Sequence, residues 1–417
     1  MKKIILLILV ALYSHNIHAQ LVYNNPIGDF YFNIFDEMQT DNPNENIVYC
    51  PFNTLICVDM LLNGMDDESQ RKVLDAMGVG DLTIEDFNSI VKKLYNGLYT
   101  YGDGFSTSIY PYFARGDNAE LEEDYREYIK SMDIPELRSV SDDKIFVGSS
   151  VYYEDMWARK PTEYEKDIFT NADGKSVKLN FIQNLIGLYY TFNDFDIVRI
   201  NFNQIDNGPY SFHIRMHPYS MFCIIPRDDS GKSIKMDSDI MIKMFLAAIT
   251  DGKPCMISMP KIYAEDSLCI DSYFEKVTGI NLQSDLSLTK VVKNKTLSVP
   301  SITDYVNIEL NESGIDASYR QKKIKNMNTT NTSKKEDKKI VINKPFNFII
   351  MDNSEYEILL TGCVRNLEGE EVNMTAINPV NVSEKSSNEI YDLYGRKCSS
   401  MSKSGIYVVN GKKVMVK

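Results

Sequence analysis

His213 and His217 are the residues most suggestive of chemistry, because two histidines at this spacing on one helix can hold zinc. Their context argues against it: Pro218 follows directly, and no glutamate stands between them where a zinc hydrolase carries its base. Two solvent-facing side chains in an insertion are the plainer reading. The other histidines, His15 and His18, lie in an N-terminal apolar leader. A Ser-His-Asp or Cys-His nucleophile needs a positioned base, and few are on offer. The seven cysteines (Cys50, Cys57, Cys223, Cys255, Cys269, Cys363, Cys398) form no CxxC pair. Most sit among apolar residues, as buried thiols do, and their odd number leaves one unpaired within a monomer. There is no P-loop and no GxGxxG motif. No catalytic residue, metal or cofactor is expected, and an enzyme is not. What remains is chemistry done to the chain. Residues 319–339 carry eight basic and two acidic side chains, a net of +6, in a polar stretch whose lysines suit trypsin-like proteases.

Composition narrows the setting. Over 417 residues the formal charge is −13, and loss of Lys2 and Lys3 with the leader takes it to −15. So acidic a chain suits neither nucleic acid nor an anionic membrane. Lys2 and Lys3 precede an apolar run from Ile4 to Leu12, and Ile17-His18-Ala19 stands before Gln20. This reads as a secretory signal over 1–19, too short to span a bilayer. The first cysteine after it is Cys50, which argues against a lipoprotein. The expected product is secreted or on the cell surface, a monomer with no membrane span.

The elements that position the basic loop follow from periodicity. Residues 25–38 are amphipathic, 46–53 form a short strand ending at Pro51, and Asn53 is placed to cap a helix through Leu62. Asp66 opens a helix ending before Gly78. Residues 106–115 alternate as a strand, 120–132 form a charged helix, and 144–154 a buried strand leading to Trp157, the only tryptophan. Further strands are expected at 177–181, 197–202, 220–225, 256–259 and 296–302. Many strands with helices clustered early predict an α+β fold of large mixed and antiparallel sheets.

Several of these stations, in order, resemble the serpin family. Asn311-Glu312-Ser313-Gly314-Ile315-Asp316-Ala317 is similar to its hinge, and Ile342-Asn343-Lys344-Pro345-Phe346 to the strand entry after its reactive loop. Ile47-Val48-Tyr49-Cys50-Pro51-Phe52-Asn53, Tyr152-Tyr153-Glu154-Asp155-Met156-Trp157, Met221-Phe222-Cys223-Ile224-Ile225-Pro226 and Met259-Pro260-Lys261-Ile262 resemble its other landmarks. The resemblance implies a serpin-like domain over 20–366 with a reactive loop at about 315–342. It also implies a hinge at Glu312, Gly314, Ile315 and Ala317, a breach at Trp157, and a polar shutter of Asn53, Ser149 and Asp304. Family spacing counted forward from the hinge places the scissile residue at Asn328, and counted back from Pro345 at Lys334. The implied partner is a serine or cysteine protease that cleaves the loop as pseudo-substrate before the loop enters the main sheet. The alternative is a non-inhibitory binding or surface protein whose loop is merely cleavable.

The departures are specific. Ser149, Asp304 and Ile56 stand where the family has Asn, His and Ser. Only residues 141–143 separate the strands near 135–140 and 144, leaving no room for the family's helix across the main sheet. A long crossover is then missing, so a changed local topology is expected. On an inserted strand Ile315, Ala317, Tyr319 and Gln321 share one face and Asp316, Ser318, Arg320 and Lys322 the other. Lys323 and Lys325 fall inward, where an unpaired lysine costs several kcal/mol. After a linker at 367–388, residues 389–417 form three short strands, with Asn410-Gly411 as a hairpin turn. This tail resembles the type IX secretion sorting modules of Bacteroidetes, which implies secretion machinery as a second partner.

Overall fold

Proline sets the start of the central helix. Pro51 follows Cys50, and its fixed φ and missing N–H suit a first helical turn, so the helix runs Pro51–Leu62 with Cys50 before it. Asn53 is therefore inside the first turn and does not cap. All twelve residues of this helix are buried, which only a helix enclosed on every side can be.

The computed structural model describes residues 26–372 apart from 99, 103–104, 117–118, 141–144, 159–160, 162–163, 203–218, 229–233, 251, 318–337 and 354–356, together with strands within 390–416. In chain order these are α1 (Pro26–Asp41), β1 (Ile47–Tyr49), α2 (Pro51–Leu62), α3 (Asp67–Ala76), α4 (Ile84–Leu98), β2 (Thr100–Gly102) and β3 (Phe105–Gly116). Then come α5 (Glu123–Ser131), β4 (Glu136–Val140), β5 (Ile145–Met156), β6 (Tyr164–Thr170), β7 (Ser176–Thr191), β8 (Phe195–Asn201) and β9 (Tyr219–Pro226). Next are α6 (Ser238–Ile249), β10 (Lys253–Pro260), β11 (Ile262–Cys269), α7 (Asp271–Thr278), α8 (Leu282–Asp285), β12 (Ser287–Val292) and β13 (Lys295–Ser298). The domain ends with β14 (Thr303–Asn311), β15 (Gly314–Ala317), β16 (Lys338–Val341), β17 (Phe346–Asp352), β18 (Ile358–Val364) and β19 (Glu370–Glu371). His213, His217, Asn328 and Lys334 lie outside the described residues.

Two large sheets enclose α2. One has the order β11-β14-β15-β5-β3-β2, with β4 on β3; the other runs β1-β18-β17-β9-β8-β7-β10-β16, with β6 and β19 on β7. Helix α2 packs against β5 and β3 on one side and β18 on the other. Strand β9 is buried along its whole length, as a central strand covered on both faces must be. Of the six cysteines whose side chains are described, Cys50, Cys57, Cys223, Cys255 and Cys363 are buried and Cys269 is exposed; all six are free thiols.

The connection from β4 to β5 corrects the expected change of topology. Strand β4 runs parallel to β3, with Gly116 beside Val140, while β5 runs antiparallel to β3, with Arg115 beside Ile145. So β4 and β5 flank β3 and oppose each other, and both meet the gap at the same end of β3. Bridging two strand spacings, roughly 10 Å, needs only the four residues 141–144. The long-crossover rule governs parallel neighbours and does not apply. The outer face of this sheet consequently carries no helix between β4 and β5.

Beyond β18 the chain stays on the domain instead of leaving at 367. Leu367 exchanges two bonds with the Asn171 side chain, at 2.9 and 3.1 Å, and Glu370 pairs with Lys178 in register. The compact units divide between Val372 and Asn373. In the second unit strands β20 (Ile390–Asp392), β21 (Lys397–Cys398), β22 (Gly405–Val409) and β23 (Lys412–Val416) pair in the order β21-β20-β22-β23.

Within α2, Asp59 is fully buried and its carboxylate accepts a 2.6 Å bond from the Tyr128 hydroxyl of α5. Burial pushes its pKa up to about 7, against the opposing effect of that bond. A folded pKa above the unfolded one means a contribution present at low pH and lost as pH rises through 7, so ionisation works against the fold. Asp59→Asn is expected to gain stability over the parent as pH rises from 4 to 7, levelling above 7 at on the order of a few kcal/mol. Melting across that range checks it; a pH-independent difference would contradict it.

Candidate functional site

The hinge is already part of the sheet. After β14 the chain turns at Glu312 and Ser313, where the Ser313 N–H donates to Asn311 Oδ1 at 2.8 Å, and returns as β15. Strand β15 lies between β14 and β5, antiparallel to both: Gly314 sits between Asn311 and Met156, Ile315 between Leu310 and Asp155, Asp316 between Glu309 and Glu154. Ala317 pairs with Tyr153. Lower down, β14 and β5 meet directly and in parallel, Thr303 opposite Gly148, Asp304 opposite Ser149 and Tyr305 opposite Ser150. The two strands hold one register above and below this branch point, so the seam is continuous.

Glycine is needed at the branch. Gly314 has φ 146°, and a Cβ there would lie 1.9 Å from the Asp155 carbonyl oxygen. Ile315 is buried beneath the sheet, which fixes the parity of the strand. The turn is fastened from two sides. Trp157 Nε1 donates to the Asn311 carbonyl at 2.7 Å while its ring stacks on Phe202, centroids 5.1 Å apart. Lys261 Nζ pairs with Glu312 Oε2 at 2.5 Å. Asp155, buried beneath β15, accepts from the Tyr153 hydroxyl at 3.0 Å and from the Met156 N–H at 2.7 Å.

Under the seam the three expected shutter residues come together. The Ser149 hydroxyl donates to Asn53 Oδ1 at 2.8 Å, and the Asn53 amide donates to Asp304 Oδ1 at 2.5 Å. The Cys50 N–H donates to Asp304 Oδ2 at 3.0 Å. All three side chains are buried, so the network ties α2 to both strands of the seam. Burial, and after it the Asp304 charge, pushes the Cys50 and Cys57 thiols far up, which leaves both neutral.

The far end of the loop is held separately. Strand β16 runs parallel to β10, and Lys338 Nζ lies 4.0 Å above the Tyr189 ring. The Ile342 N–H donates to the Ser258 carbonyl at 2.8 Å, and Phe346 is buried where β17 begins. A strand seated at the head of a seam and a return strand held on the other sheet bracket the basic segment 318–337, and that order points to one family. The serpin family model matches residues 25–141 and 132–367.

The chain belongs to the serpin family. Antitrypsin from Bombyx mori is 21% identical over 370 residues, covering 76% of this chain and 88% of that protein. Antichymotrypsin-2 from the same organism is 20% identical over 347 residues, covering 71% and 86%. Among solved structures, the thermophilic serpin tengpin in its native state aligns with a TM-score of 0.67 at 17% identity, over 84% of this chain and 94% of its own. In this serpin Glu312, Gly314 and Trp157 lie together at the turn, joined by Lys261, Asp155 and Phe202, while Asn53, Ser149 and Asp304 lie together under the seam. Lys261 sat in a recognised Met-Pro-Lys-Ile stretch, and an acid–base pair between that stretch and the hinge was the available signal.

Gly314→Ala is expected to unseat β15 or destabilise the domain by roughly 1–3 kcal/mol, from strain at this φ and the backbone overlap. Amide exchange at 314–317 with a melting curve checks it; unchanged protection and melting would contradict it. Asn53→Ala, which strips donors and acceptors from a buried network, is expected to cost about 1–3 kcal/mol. Denaturant unfolding measures it, and a neutral result would remove the shutter role.

Proposed function

We propose that this serpin is a secreted inhibitor of serine or cysteine proteases that works through the loop between Ala317 and Lys338. One observation carries the reading: the hinge is seated in register at the head of a seam that only three residue pairs close below it. A protease nucleophile attacks a loop carbonyl, an acyl-enzyme forms, and the new amine leaves with the proton. The freed proximal segment then enters the seam and carries the bound protease with it, before water attacks the acyl bond. Each new backbone pair adds about 0.5–1.5 kcal/mol net, and the branch point removes the cost of starting the strand. Names of relatives such as antitrypsin and antichymotrypsin support the inhibitor class. Candidate scissile positions remain Asn328 and Lys334.

A second reading has its own observation. Register puts Lys323 level with buried Val147 and Ile302, which penalises complete insertion and favours a non-inhibitory binding protein. Incubation of the mature chain with trypsin-like and elastase-like serine proteases separates the two. An SDS-stable covalent adduct is expected; clean loop cleavage without adduct would establish the non-inhibitor. The leader at 1–19 and the four-stranded tail support export, the tail acting as a sorting module of the type IX kind. Deleting residues 389–417 is expected to abolish delivery to the surface or medium, and unchanged delivery would remove that role.

A further inference from the structure

The outer face of the seam sheet carries exposed aromatic side chains that the function above does not use. Tyr110 is 54% exposed, Phe146 45% and Tyr305 37%, and the Tyr112 ring lies across Gly148, where a Cβ would come within 2.3 Å of its hydroxyl. Tyrosines on an uncovered face mark a surface built for contact.

Register identifies the occupant. Because β5 and β14 keep one alignment through the branch point, a strand continuing from Ala317 down the seam meets fixed neighbours. Residue 320 falls between Ser150 and Tyr305, with Tyr110 next across β5; residue 321 falls between Ser149 and Asp304; residue 322 falls between Gly148 and Thr303, with Tyr112 next across β5. Buried Ile315 sets the parity, so 320 and 322 point outward and 321 inward. The sequence at those positions is Arg320, Gln321 and Lys322.

We propose that the outward-facing tyrosines Tyr110, Tyr112 and Tyr305 form the seat for Arg320 and Lys322 of the chain's own cleaved loop, while Ser149 and Asp304 receive Gln321 beneath. The proposal rests on the insertion reading above and adds how the sheet selects this segment. A guanidinium or ammonium stacks favourably on a tyrosine face, and a helix across this sheet would cover the seat. Underneath, the two N–H groups of the Gln321 amide can donate to the Asp304 carboxylate and to the Ser149 hydroxyl oxygen, whose own proton is held by Asn53. Two complementary pairings of different chemistry therefore coincide in a single register. The next inward position, Lys323, meets the apolar pair Val147 and Ile302, which ends the favourable stretch.

The test uses the full chain with a sequence-specific cysteine-protease site replacing residues 327–333, so that one nick spares Arg320 and Lys322. Melting and amide exchange are compared before and after the nick for this parent, Tyr305→Ser, Arg320→Ser and the double variant. Nicking is expected to raise Tm and protect amides 318–322, with each single change removing about 1–3 °C of the rise and the double removing less than their sum. Intact Tyr305→Ser should melt like the intact parent, which separates loss of the seat from poor folding. A full-sized rise in every variant, or additive losses, would overturn the tyrosine seat while leaving insertion standing. No rise and no protection in the parent would sink the insertion reading, and the proposal with it.

Discussion

The branch point where β5 and β14 part to admit β15 governs the rest of this molecule. Above it a four-residue strand supplies hydrogen bonds to both neighbours; below it the neighbours bond to each other over three pairs. Parallel strands that close on each other and also part for a third leave the lower seam one strand short of its fullest pairing. On the proposed reading, a strand entering there would pair with both neighbours, and that added pairing is what would drive insertion. Trp157 and Lys261 hold the turn at the top, and the Asn53–Asp304–Ser149 network holds α2 to the seam beneath. These fastenings hold the seam closed below the branch point.

The outer face separates this serpin from the family pattern. Four residues join β4 to β5 because both strands meet the same end of β3, so a crossing helix can be lost without rethreading the sheet. Its loss exposes tyrosines, and residues 319–339 are basic in an acidic chain. Long cationic side chains on an inserted strand would be expelled by a covering helix; on the proposed insertion they would meet water and aromatic rings here.

Part of this could be read in the residues, where local geometry demands one residue type. Gly314 is required by its φ and by the approach of Asp155. Asp66 caps α3 through the Ser69 N–H at 2.8 Å, as its sequence position implied. Asn53 misled, since a polar residue near a helix start suggests a cap, whereas Pro51 fixed the start earlier and freed the Asn53 side chain for the seam. The direction of β5 relative to β4 was not readable, because pairing across β3 is a tertiary fact with no local signature. The depth of hinge insertion was unreadable for the same reason: nothing in Gly314 to Ala317 states which strands will flank them. Helices α4 and α6 went unanticipated because no landmark falls within them.

The most direct test is the structure of the chain after a single cut between Lys325 and Lys338. A new strand lying between β5 and β14, with Gln321 flanked by Ser149 and Asp304, is the predicted result. Thr303, Asp304 and Tyr305 still paired directly with Gly148, Ser149 and Ser150 after the cut would contradict the account.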